Sequence, residues 1–254
     1  MSQIIFNRPE SYVREKMARV DIACIDLDEC FCPSFVHLIT GVGMFFEALV
    51  NPFLWKYLPQ LSRGGVFICR WAVQERFNKK KGSESLLMDA YANAMQHVPI
   101  DWIQRHASYL PRLFAHQSIE FLKSLSQRDI MVVVLSLSIQ PILTRIEQKL
   151  PFACCCIGNK IIAENNTFVR WDADDCMMDG DDKLERFKRI MHEANRTSLL
   201  VIGHSYNEMP LVAYARDHGG LSIGINPASR VCQEFDVVLK GVSWKKLQSI
   251  WQKL

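Results

Sequence analysis

Compact apolar runs alternate with longer amphipathic stretches along this chain. Val20 to Leu27 is a near-continuous apolar run that ends in acids, and Ile130 to Leu135, Ser198 to Ile202 and Leu221 to Ile225 are of the same kind. Runs without alternation suit strands buried on both faces of a parallel sheet. Shorter strands are expected at Ala153 to Ile157, Ile161 to Ala163, Thr167 to Arg170 and Phe235 to Leu239. Helical spacing marks Pro9 to Arg19, Pro141 to Leu150, Asp181 to Ala194, Glu208 to Asp217 and Trp244 to Lys253. Strands alternating with helices predict an α/β fold: a doubly wound, Rossmann-like parallel sheet with helices on both faces.

Between Glu29 and about His116 the alternation stops. Helices are expected at Val36 to Leu49, Gly65 to Phe77, Ser83 to His97 and Ile100 to Ser108. The chain thus divides into an α/β core, residues 1–30 plus 118–254, and a helical insert, 31–117, that follows the first strand and would lie over the sheet rim. The insert is rich in Phe, Trp, Tyr and Met. These rings either fill a small helical bundle or, for a few of them, grip an apolar part of a ligand.

At 254 residues the chain can hold one large domain or a domain with an insert. Its hydrophobic fraction of 49% and charged fraction of 22% are those of a soluble globular protein. A net charge of +3 gives no argument for nucleic acid. The basic run Lys79-Lys80-Lys81 reads as a solvated loop. Met1 to Glu10 lacks the apolar core of an export signal. Val42 to Trp71 is the most apolar stretch, but Glu47, Lys56, Arg63 and prolines interrupt it. It falls short of the roughly twenty unbroken residues that a spanning helix needs. Nine cysteines without an export signal are expected as reduced thiols in a cytoplasm. Cys154, Cys155 and Cys156 sit in an expected strand, where neighbours face opposite ways, so a shared zinc is not expected.

Ligands of open parallel sheets sit at the carboxyl ends of the strands. Asp26, Asp28, Ser136 and the turn from His204 to Glu208 all fall at such ends. Phosphate transfer needs groups of these types. A carboxylate can attack phosphorus and split the hydrolysis into two steps. Both reactants are anions, so a metal ion and a lysine must offset their repulsion. A second carboxyl group must protonate the leaving oxygen and then deprotonate water. Asp26 and Asp28, two apart at a strand end, have the spacing for that division, although such a pair can also cap a turn. Ser136, with Ser138 close by, would alone be turn chemistry. Lys183 near a helix start opposes the dipole unless an anion is near, and Arg186 and Lys188 are alternatives.

Taken together, Asp26-Leu27-Asp28, Ser136, Lys183 and Gly203-His204-Ser205-Tyr206-Asn207-Glu208 resemble the four-part active site of the haloacid dehalogenase (HAD) superfamily. Its commonest chemistry is phosphate-ester hydrolysis. The resemblance implies a phosphatase acting on a small phosphorylated substrate through an aspartyl-phosphate intermediate. Asp26 is then the nucleophile and Asp28 the acid/base, while Ser136 and Lys183 hold the phosphoryl group. A magnesium ion, or manganese or another divalent ion, would rest on Asp26, the Asp28 backbone carbonyl and Glu208, with His204 as a further candidate ligand. The insert's position resembles the first cap type, as in phosphoserine-phosphatase-like members. Two departures stand out. Cys30 replaces the usual threonine, and His204 and Glu208 replace two aspartates. Magnesium prefers hard oxygen ligands, whereas imidazole suits transition ions. Three outcomes are open: Glu208 serves the metal alone, the site takes a transition ion, or catalysis is lost. In the last case the protein binds a phosphorylated ligand or a protein partner.

Gly203-His204-Ser205-Tyr206-Asn207 also resembles the nucleophile elbow of serine hydrolases, with Asn207 in place of the last glycine. The only later histidine, His218, follows too soon to serve Ser205. That reading also leaves Asp26, Asp28 and Lys183 unexplained. Phosphate-binding Gly-Lys loops, zinc-protease motifs and a dinucleotide fingerprint are absent.

Overall fold

A computed structural model describes residues 3–32, 36–67, 84–241 and 244–251. In chain order the elements begin with β1 (Gln3–Phe6), α1 (Glu10–Arg19), β2 (Ile22–Ile25), α2 (Val36–Val50) and a 3-10 turn (Pro52–Tyr57). Next come α3 (58–67, as far as it is described), α4 (Glu84–Met95), α5 (Ile100–Ala107) and α6 (His116–Gln127). Then follow β3 (Met131–Ile139), α7 (Gln140–Glu147), β4 (Cys155–Asn159), β5 (Ile161–Glu164) and β6 (Thr167–Trp171). The chain continues through α8 (Gly180–Glu193), β7 (Leu199–Gly203), α9 (Met209–Asp217), β8 (Leu221–Ile225), β9 (Val237–Lys240) and α10 (Trp244–Trp251).

The expected mixed α/β architecture is present, built on a seven-stranded sheet in the order β1-β9-β8-β7-β2-β3-β4. β2 runs parallel to both its neighbours, with Ile25 opposite Val134 on one side and Ile202 on the other. The chain leaves β2 toward β3 and β4, then returns to build β7, β8 and β9 on the other side. β2 is therefore the topological switch point, where open α/β sheets place their ligands. Both faces of β2 are covered. Ala23 and Ile25 pack into one core with Phe121, Trp244 and Trp251, and Ile22 and Cys24 into the other with Phe187 and Leu211. Full burial on two faces explains why these strands read as unbroken apolar runs.

Several expectations change in detail. β1 was not foreseen, and it pairs antiparallel with β9 at the sheet edge, so the insert follows the second strand. β3 continues past Ser136 to Ile139, with an irregularity in its pairing to β4 beyond Leu135. α6 occupies a stretch that carries no expected element. The expected helix from Gly65 to Phe77 meets the structure only at residues 65–67, inside a helix that begins at 58. Its remainder and the Lys79-Lys80-Lys81 run lie outside the described residues. Cys155 packs in one core while Cys154 and Cys156 pack in the other, as alternation along a strand requires.

The segment between β2 and β3 packs both on itself and on the core: α5 lies against α2 and α7, and α6 against α10 and β3. Glu47 of α2 accepts from Trp102 Nε1 at 2.8 Å and Arg105 Nη2 at 2.6 Å, and lies 2.7 Å from His106 Nε2. These contacts tie α2 to α5. Backbone bonds of His97 and Val98 with Phe168 tie the segment to β6. No described helix is long and apolar enough to cross a membrane.

Candidate active site

Asp26 follows β2 in extended conformation, its N–H donating to Ile202 O at 2.9 Å. The chain then coils into one π-helical turn, Leu27–Phe31. Such π-helical turns are rare, and they are frequent at functional sites. Here the turn separates the two acids. The Asp28 carboxylate accepts from the Val36 N–H at 2.7 Å and lies 3.4 Å from Ser136 Oγ.

α8 brings Lys183 to the same rim. The Asp179 side chain caps the helix, accepting from the backbone N–H groups of Asp181 at 2.9 Å and Asp182 at 3.1 Å. Lys183 is only 2% exposed. Its Nζ donates to Asp26 Oδ1 at 2.8 Å and Glu208 Oε1 at 3.1 Å. Two carboxylates thus offset a cation that the helix dipole alone would disfavour. The alternatives are engaged elsewhere, since Arg186 pairs with Asp175 and Lys188 with Glu185.

The fourth segment forms a capping box. Ser205 caps the turn Tyr206–Glu208, and Glu208 reaches back to the cap. Glu208 Oε2 accepts from Ser205 N at 2.9 Å, Ser205 Oγ at 3.0 Å and His204 N at 3.3 Å. This placement needs the glycine at 203, where a Cβ would collide with Glu208 Cγ. Ser205 acts as a cap whose hydroxyl is held by Glu208, while His218 sits against Tyr214 one turn back. His204 Nδ1 lies 3.2 Å from Asp26 Oδ2 and 4.0 Å from Glu208 Oε2.

The electrostatics separate the two aspartates. Burial favours protonation of Asp26, but the Lys183 ammonium, together with His204, outweighs it and holds this carboxyl below the usual range. Burial pushes Asp28 up to about 7, and the Asp26 charge adds to the effect. Burial works against the Lys183 ammonium, but Asp26 and Glu208 overcome it and raise its pKa. Asp26 stays ionised at neutral pH while Asp28 can carry a proton.

Asp26, His204 and Glu208 each offer one donor atom, all within 4.8 Å of one another. Two carboxylates and an imidazole at this spacing fit a divalent ion, and the nitrogen donor suits a transition ion better than magnesium. The Asp28 carboxylate is turned toward Val36 and Ser136 and takes no part in this group. The structure thus brings together all six candidate residues. Sequence reasoning missed Asp179 and the Val36 N–H. It also missed that Ser205 and Glu208 form a capping box, although Ser-x-x-Glu before a helix is a legible signal.

No family model matches the sequence, and no curated protein matches it. Solved structures do match. Cytosolic 5'-nucleotidase IIIB bound to cytidine superposes with a TM-score of 0.67 at 14% identity, over 98% of this chain and 93% of that one. A phospho-aspartyl intermediate analogue of phosphoserine phosphatase gives 0.63 at 14% identity, over 91% and 98%. A HAD-family hydrolase from Salmonella enterica serovar Typhi gives 0.63 at 12% identity, over 90% and 75%. The chain has the HAD-type fold.

Proposed function

We propose that the protein hydrolyses a small phosphomonoester through an aspartyl-phosphate intermediate. The observation that best supports this is the pairing of an ionised Asp26, held by buried Lys183, with a protonatable Asp28 one short turn away. In this reading an Asp26 oxygen attacks phosphorus, the ester P–O bond breaks, and Asp28 gives its proton to the departing oxygen. Asp28 then takes a proton from water, whose oxygen attacks the acyl phosphate and frees Asp26. The Lys183 ammonium and the Ser136 hydroxyl hold phosphoryl oxygens. Asp26, His204 and Glu208 would hold a divalent ion, which supplies further positive charge against the phosphoryl group. Residues 31–117 would act as a cap, joined to the acid/base through the bond from Val36 to Asp28.

Asp28 must be protonated to release the leaving group. The protonated fraction falls as pH rises through about 7, so turnover is expected to decline on the alkaline side of that value. A pH–rate profile with an aryl phosphate measures it, and a profile with no such alkaline limb would remove Asp28 from the acid role.

A second reading, a phosphate-ligand binder without turnover, draws on His204 and on the three donors already held by Glu208 Oε2. One experiment separates the two. A panel of phosphate esters is assayed with magnesium, manganese and cobalt on wild type and His204→Asp. The phosphatase reading expects wild-type turnover, greater with manganese or cobalt, and a shift toward magnesium in the variant. Activity confined to His204→Asp would favour the non-catalytic reading.

A further inference from the structure

We propose that the corner formed by α2 and the following 3-10 turn docks on an anionic lipid membrane surface. α2 turns Val36, Thr40, Met44 and Ala48 inward. Its opposite side carries Val42, Phe46, Leu49 and Val50, and the 3-10 turn extends it with Phe53 and Trp55. The helical positions recur at the spacing of a single face. Phe46 is 63% exposed, Val50 81%, Phe53 89% and Trp55 56%. A contiguous apolar patch of this kind marks an interaction site, whereas scattered apolar residues do not.

Charge selects the occupant. Glu47 is the only acid between residues 36 and 67. Both its oxygens are engaged by Trp102, Arg105 and His106. Lys56 stands exposed at the end of the patch, its Nζ 4.9 Å from the Tyr57 ring centre. The patch therefore combines large apolar tips, an indole and a cation, and the one carboxylate between residues 36 and 67 is engaged. Rings of this kind enter the acyl boundary, and a cation beside them stays with anionic headgroups. In a twofold pairing of this face with a second copy, Lys56 would meet no unengaged carboxylate from residues 36 to 67. The helix is too short to span, so the contact is peripheral.

The full chain is sedimented with phosphatidylcholine vesicles, with and without phosphatidylserine. Wild type is expected to co-sediment with the phosphatidylserine vesicles and to be released by salt. Phe46→Ser with Phe53→Ser is expected to lower the partition coefficient by about tenfold or more, with an unchanged circular-dichroism melt because both rings are exposed. Lys56→Glu is expected to lower it about tenfold on phosphatidylserine vesicles only. Wild type that stays in solution with both vesicle types overturns the proposal, whatever the variants do. So does equal binding to both, and so does a dimer that the phenylalanine substitutions dissociate without any vesicle binding.

Discussion

Asp26→Asn is expected to abolish phosphate-ester hydrolysis, by roughly four orders of magnitude or more, since a nucleophile and its supporting groups act as one unit. The effect on folding is expected to be small beside that. Asparagine keeps the shape of the side chain, and Lys183 keeps its bond to Glu208. Loss of one charge-assisted bond of this kind costs about 1.5–3 kcal/mol. Measured together, turnover of an aryl phosphate and a urea melt separate chemistry from stability. Retained turnover in a folded variant would dismiss Asp26 as nucleophile. Trapping a phosphorylated wild-type chain by rapid acid quench, and failing to trap one from the variant, is the positive counterpart.

Lys183→Met is expected to produce the largest loss of stability. Methionine fills much of the same space but leaves Asp26 and Glu208 buried without their shared cation. Removing one partner from a buried ionic group costs about 3–5 kcal/mol. The pH dependence should identify the cause. In the wild type the Asp26 carboxyl is held below its unfolded value, so its contribution is present above that value and lost as pH falls through the folded one. Without the ammonium, burial dominates and the folded value rises above the unfolded one. The sign then reverses: the variant is most stable in acid and loses stability as pH rises. The gap to wild type in denaturant melts should widen from acid to neutral pH, and a constant gap would point to lost packing instead.

The sheet was legible because its central strands are buried on two faces, so their sequences are plain apolar runs. The site was legible for a related reason, since the ends of those runs mark the rim and Asp26, Ser136 and Gly203 stand at or near them. β1 was not, because Gln3 to Phe6 is an edge strand whose only support is a partner more than two hundred residues away. Nor could the sequence reveal how charge is shared. That Asp28 is raised while Asp26 is lowered depends on the π-helical turn, which sends one carboxyl to Val36 and leaves the other beside Lys183. The substitution of Glu208 for aspartate looked like a longer metal ligand. In the folded protein its added length reaches the backbone of His204 and Ser205 across a glycine that makes room for it.

β2 is made early but flanked late. Its partners begin at Met131 and Leu199, and the bond from Lys183 to Asp26 spans 157 positions. As the chain leaves the ribosome, the strand that will be the middle of the sheet has one edge bare until β3 emerges and the other until β7 does. Pairings this distant close slowly and leave sticky apolar edges open in the meantime. Nascent chains stalled before residue 199 therefore carry an unfinished sheet, and they are the species on which chaperone dependence and aggregation during synthesis should concentrate.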